Sequence, residues 1–360
     1  MATPEGQLLD AASVQVAATN TAPAATGLRG RLLPPALVVI GILALVVAGW
    51  GLRSASAGIR ILVAVVGGAL LWRGLQVLGI RRYGPTFRLG LVAASAWLAL
   101  VMFLAVFADL LPIEHWTKAD ISREALGLRP GLRWPEVLGR TTNGYSELSH
   151  VIYGARTSLT IGVVAVAVGV LVGIVAGLFA GWYGRVIDGS ITIATNTILA
   201  FPPLILILAI VAVYGNTVRT LALGLAVLSI PTYTRLMRAQ TLAIRQREYV
   251  QAADAMGASN SRLMWREVLP NAVLPVLSYS FIVVAVVIVA EGSLSYLGVG
   301  VPSPQPSWGG MIAAGQRQMK INPHLVFVPA TVMFLTVLSL NRFGEWVRKR
   351  VLGGDRSEIR

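Results

Sequence analysis

Few residues of this chain are equipped for covalent chemistry. Among 360 residues there is no cysteine, which removes disulfides, thiolate metal sites and cysteine nucleophiles. His115, His150 and His324 lie far apart, and none stands in the paired spacing of a zinc site. No G-x-x-x-x-G-K-[ST] stretch is present to cradle a nucleotide phosphate, and no G-x-S-x-G elbow to present a nucleophile. The expectation is a protein that is not an enzyme and holds no cofactor or metal of its own. What polar chemistry remains is concentrated in two places. Glu291 stands in A-E-G-S-L-S-Y-L-G-V-G at the end of an apolar run, and an ionisable group at membrane depth marks function by default. Its competing reading is a glutamate at a wet outer vestibule, hydrogen-bonded to nearby backbone. The second place is residues 245–271, a polar island between long apolar runs.

Composition dictates the elements that must carry these residues. The chain is 55% hydrophobic and 13% charged, with apolar runs near membrane-spanning length. The expected fold class is all-α: a polytopic protein of about eight transmembrane helices in a lipid bilayer. The formal net charge of +14 fits arginine and lysine gathered in cytoplasmic loops facing anionic lipid, with no nucleic-acid partner. Residues 1–27 are rich in Ala and Thr and lack the pattern of a cleavable signal, so 1–35 reads as a disordered cytoplasmic tail.

In order, apolar runs at 36–52 and 59–80 make a membrane hairpin (36–86), with Arg73 snorkelling and Arg81, Arg82 and Arg88 in the cytoplasm. A first core span follows at 89–111, within 87–112. The next segment, 113–155, reads as an external loop. In it Lys118, Arg123, Arg129, Arg133 and Arg140 balance Glu114, Asp120, Glu124, Glu136 and Glu147. Residues 156–347 form the transmembrane core, with spans near 159–182, 191–214, 217–230, 272–297 and 325–343. A short turn is expected at 184–189, a break at Pro231, and a cytoplasmic tail at 348–360 after the stop Arg348, Lys349 and Arg350. Gly169, Gly173, Gly177 and Gly181 recur every fourth residue and share one helix face. Small residues there let backbones approach closely in lipid, either against a second subunit or gate helix or within the chain. Phe201-Pro202-Pro203 should kink its span, because proline frees carbonyls and bends a helix.

Residues 245–271 read as helix, break, helix. Glu248 to Met256 is rich in helix formers, and Gly257 can adopt the positive φ that ends such a helix. Ser259 is a natural N-cap for a second helix through Val268, which Pro270 should stop. Leu263, Val268 and the side of Trp265 supply its apolar face, with Arg262, Arg266 and Glu267 outside it. From 235 to 267, six arginines face Glu248, Asp254 and Glu267, an excess that places the segment inside. Such an element can lie against a partner and transmit its motion; the alternative is an ordinary amphipathic interfacial helix.

Glu248, Ala252, Ala253, Gly257 and the Leu269-Pro270 pair resemble the "EAA" signature of ATP-binding-cassette importer permeases. The wording E-Y-V-x-A-A-x-x-x-G-A-S and L-P-N resembles the dipeptide/oligopeptide/nickel branch. Tyr153-Gly154-Ala155-Arg156-Thr157-Ser158-Leu159 is similar to that family's I-Y-G-A-R-x-S-L, Phe201-Pro202-Pro203 to its A-F-P-P, and Pro306-Ser307-Trp308-Gly309 to its external P-x-P-S-W-G turn. The family's Glu also falls at Glu291. One segment departs: the family's L-G-T-D-x-x-G-R-D is matched by residues 138–146 with both acidic positions missing. The resemblance covers residue 89 to the C-terminus and leaves the hairpin unexplained. It implies half of a transmembrane pathway for peptides or a similar solute such as nickel, with both chain termini cytoplasmic. The implied partners are a second homologous permease, two cytoplasmic ATPase subunits carrying ATP and magnesium, and an external binding protein. Glu248, Ala252, Ala253, Gly257, Ser259, Arg262, Leu269 and Pro270 would dock the ATPase. Competing readings are an ion-gradient-driven secondary transporter, for which Glu291 is the strong acidic candidate, and a non-transporting scaffold built on the hairpin.

Overall fold

A computed structural model describes residues 28–48, 57–84, 87–122, 126–131, 134 and 136–354. Of the tail expected at 1–35, residues 1–27 lie outside these, whereas 28–35 are not a disordered tail but the start of a helix. Residues 53–56, between the first two apolar runs, and residues 355–360 also lie outside. Among the described residues the only extended pairing is isolated bridges, Ala119 with Tyr145 and Arg140 with Ser146. The protein is an all-α polytopic membrane protein. Six helices are long and apolar enough to cross a membrane, and a bent pair makes a seventh if counted as one span. The first apolar run, Pro34–Val46, is a shorter helix.

The chain divides into two compact units. The first, Met1–Leu89, holds α1 (Leu28–Val46) and α2 (Ala57–Tyr83). They run antiparallel in close contact: a Cβ on Gly74 would meet Val38 and the Pro34 carbonyl, and one on Gly67 would meet Ala44.

The second unit, Gly90–Arg360, is the helical core. It comprises α3 (Leu89–Val106), α4 (Glu147–Tyr183), α5 (Arg185–Ala200), α6 (Pro203–Tyr214), α7 (Val218–Arg245) and α8 (Glu248–Ala255). Then follow α9 (Asn260–Tyr296), α10 (Trp308–Gln316) and α11 (His324–Gly354). Its buried apolar cluster joins α4, α7 and α9 through Ile161, Leu178, Leu221, Met237, Val276 and Ile288.

Helix boundaries depart from the sequence expectation where packing overrides a local signal. Pro231 does not break its helix but lies buried inside α7. Its neighbours Ser229, Tyr233 and Thr234 pack against α4, and that contact outweighs the local cost of about 3 kcal/mol. Pro270 likewise stops nothing, because α9 runs on from Asn260 through it. Just before it, Leu263–Val268 widens into a π-helical turn in which the Leu269 N–H donates to the Met264 carbonyl. A wider turn absorbs the register change that a ring without an N–H imposes. The side chain of Asn271 also donates to the Glu267 carbonyl at 2.7 Å. The turn expected at 184–189 is confined to Gly184 and Arg185, at φ 61° and 44°, and α5 has already begun at Arg185. Arg348, Lys349 and Arg350 ride within α11 and do not end it.

Candidate functional site

The 245–271 segment adopts the expected grammar at its centre. Glu248 occupies the first turn of α8, where a carboxylate complements the helix dipole. Gly257, at φ +85°, closes the helix. Its N–H donates to the Asp254 carbonyl at 2.8 Å and the Ala258 N–H to the Ala253 carbonyl at 3.1 Å, the paired bonds of a glycine C-cap. Ser259 caps α9, accepting from the Arg262 N–H. Val250, Leu263, Met264 and Val268 turn inward, while Tyr249, Met256 and Trp265 remain 45%, 82% and 45% exposed. Trp265 is therefore not part of the apolar face; the π turn gives that place to Met264. Ala252, Gly257, Arg262 and Pro270 face outward, and Ala253 and Leu269 are half-buried. Beneath the segment Arg245 stacks on Trp182, 5.0 Å from its ring, and donates to its carbonyl at 2.7 Å. This contact anchors the segment to the end of α4, and nothing in the local sequence announced it.

Glu291 lies on the same helix, towards its other end, and is fully buried. It does not bond to backbone as the vestibule reading expected. Its Oε1 accepts from Ser295 and Ser307, both at 2.9 Å, and its Oε2 from Ser158 at 3.3 Å. The hydroxyl oxygens of Ser158 and Ser307 in turn accept from the Trp308 and Gly310 N–H groups, which leaves their protons for the carboxylate. Three elements are tied at one point: α4 by Ser158, α9 by Glu291 and Ser295, and α10 by its N-cap Ser307. Pro306-Ser307-Trp308-Gly309 is thus the start of a helix and not only a turn. Trp308 is buried, donating to the Val151 carbonyl at 3.1 Å. Gly309 touches Gly292: a Cβ added to Gly309 would stand 2.4 Å from the Gly292 Cα. Ser295, four residues after Glu291, could have been found from helical spacing; the other two serines converge only in three dimensions.

The glycine stripe is occupied by α7 of the same chain. Added Cβ atoms on Gly169 and Gly173 would stand 2.7 and 2.4 Å from the Cβ atoms of Ser229 and Tyr233. On Gly177 and Gly181 they would stand 2.5 Å from the Thr234 carbonyl and 2.7 Å from the Thr241 Cβ.

Phe201-Pro202-Pro203 is a break and not the expected kink: α5 and α6 meet at 87°. Each proline forbids the helical region to its predecessor, so Phe201 and Pro202 are extended, with ψ 133° and 127°. All three are exposed. An ion pair from Asp188 on α5 to Arg238 on α7, 2.5 Å long, braces one arm.

The Tyr153–Leu159 motif lies within α4, which begins earlier than expected, at Glu147 behind the N-cap Ser146. Arg156 donates to the last carbonyls of α3, those of Ala105 and Val106, and pairs with Asp109 at 2.9 Å. The Tyr153 hydroxyl also donates to Asp109. These two donors hold the Asp109 carboxyl below the usual carboxylate range. In the preceding loop the buried Arg140 pairs with Glu114 at 2.6 Å and Glu136 at 2.7 Å. Of the two positions without the family's acid, Ser146 is a helix cap and Thr141 accepts the Tyr145 N–H. A carboxylate nonetheless stands beside them, on the buried Glu147.

Residues 173–353 match the family described as binding-protein-dependent transport system inner membrane component. The glutathione transport system permease protein GsiD of Pectobacterium atrosepticum is 33% identical over 258 residues, 71% of this chain and 84% of its own. The dipeptide transport system permease protein DppC of Alkalihalophilus pseudofirmus is 30% identical over 247 residues, 69% of this chain and 80% of its own. A solved structure of inward facing conformations of the MetNI methionine ABC transporter superposes with a TM-score of 0.47 at 18% identity. That match covers 56% of this chain and 96% of the other. The chain belongs to the binding-protein-dependent transport system inner membrane components, the membrane-spanning permeases, not the enzymes, of ATP-binding-cassette importers.

Proposed function

We propose that this permease forms half of the pathway of an importer for short peptides, in the manner its glutathione and dipeptide relatives are named for, with nickel a less favoured cargo. In this reading the 245–271 segment and both termini are cytoplasmic. The segment docks on one of two ATPase subunits carrying ATP and magnesium. A second, homologous permease completes the pathway, and an external binding protein delivers the solute at the inner membrane. The observation that carries the coupling is the continuity of α9. Its 37 residues run unbroken from Asn260, in the exposed segment, to Tyr296 beyond Glu291, about 55 Å at 1.5 Å per residue. A push on the exposed end moves one lever whose far end is pinned by the serine cluster. The exposed Tyr249, Met256 and Trp265 offer apolar anchors to the partner.

Gly257→Pro tests this coupling, because proline cannot take φ +85°. The variant should insert in the membrane and retain its helices, while ATP-driven uptake of a dipeptide falls at least tenfold. Normal uptake by this variant would remove the segment from the coupling path.

A further inference from the structure

We propose that the core holds a binding site for a small zwitterion, an amino acid or short peptide, in a cavity at the end remote from the 245–271 segment. The cavity has a volume of about 590 Å³, within the range of small-molecule sites. Its walls come from the loop before α4, the start of α4, the end of α9, and α10 with its flanking loops. Glu147 lines it with a carboxylate whose residue is 1% exposed and whose Oε1 has no hydrogen-bond partner. A buried anion without a partner is costly, so this wall calls for a cation or strong donor.

Several other polar groups of the wall are already engaged. His150 meets the Trp116 carbonyl through Nε2 at 3.1 Å, and that nitrogen must carry the proton. Gln316 donates to the Tyr296 hydroxyl and Gln318 to the Thr142 hydroxyl. Ser295 and Ser307 donate to Glu291. Two ionisable side chains without a partner remain: the buried Glu147 and, on the same cavity, the exposed Arg317, which makes no ion pair among the described residues. One carboxylate and one guanidinium facing a single cavity match the two ends of a zwitterion, ammonium to Glu147 and carboxylate to Arg317. No cluster of three metal-ligating side chains exists among the described residues, so a metal ion is not the cation indicated. The site is inferred from the cavity alone and holds whether or not its ligand is the transported solute.

Calorimetric titration of the full chain in phosphatidylcholine nanodiscs, with trialanine as probe and without ATP or partner subunits, tests the site. Trialanine should bind, and both N-acetyl-trialanine and trialanine amide should bind at least tenfold more weakly. Glu147→Gln should weaken trialanine at least tenfold and no longer distinguish it from the N-acetyl form. Arg317→Gln should do the same for the amide, and this exposed residue can be changed without risk to folding. Equal binding of all three probes, no binding of trialanine, or unchanged affinity in both variants would overturn the proposal. Because the assay needs no transport, failure of the importer reading leaves its result untouched.

Discussion

At the scale of single residues, the core is held by a few polar groups with fully assigned partners. Removing the carboxylate of Glu291 strands three buried serine hydroxyls that now donate to it. Glu291→Leu should therefore cost about 3 kcal/mol, read as a lowered denaturation midpoint in micelles, with Ser295→Ala costing about 1 kcal/mol. Asp109 gives a pH signature. Its carboxyl is depressed by Tyr153 and Arg156, so its contribution is fully present above the unfolded value near 4. It is lost as pH falls through the lower folded value. Asp109→Asn should remove that contribution, lowering thermal stability slightly near neutrality and flattening the acid limb, so that variant and parent converge below that window. The sequence marked Glu291, Arg156 and Gly257 by type and spacing. It could not mark the hydroxyls around Glu291, because Ser158 and Ser307 are separated from it by 133 and 16 residues.

At the scale of elements, backbone approach and proline placement decide the geometry. The α4–α7 seam leaves no room for a methyl group at Gly173. Gly173→Ala should destabilise by about 1–3 kcal/mol through overpacking, measurable by denaturant titration in micelles. The α5–α6 bend has a different cause, the two successive residues that precede proline. Replacing Pro202 and Pro203 together by Ala should let the two helices join. Spin labels at residues 186 and 213 should then approach the separation of about 40 Å expected for one continuous helix. No change in that distance would assign the bend to tertiary packing and not to the prolines. Proline alone is an ambiguous sign in the sequence. Pro202-Pro203 turns the chain by 87°, Pro231 is carried inside a helix, and Pro270 follows a π turn without ending one. What separates the cases is the packing around each ring, which local sequence does not contain.

At the scale of the whole molecule, hairpin and core are separate compact units. Deleting residues 36–80 should therefore leave the core with its denaturation midpoint and some uptake. Loss of all folded core would show that the hairpin is integral to it. Within the core one helix joins the exposed 245–271 segment to the Glu291 cluster, so the proposed coupling is a property of the element and not of a chain of contacts.

By itself the sequence determined the all-α membrane class, the family, and the order helix, glycine cap, helix in the 245–271 segment. Apolar run length, residue-specific φ and fixed motif spacing are local properties, and they survive any arrangement of the helices. Only the tertiary structure decided that α7 fills the glycine stripe, that Trp265 faces outward while Met264 faces in, and that Glu291 is caged by serines from other elements. It alone brought Glu147 and Arg317 to one cavity, although they lie far apart in the chain. These features depend on distances between residues remote in sequence, set by helix packing that no single stretch encodes.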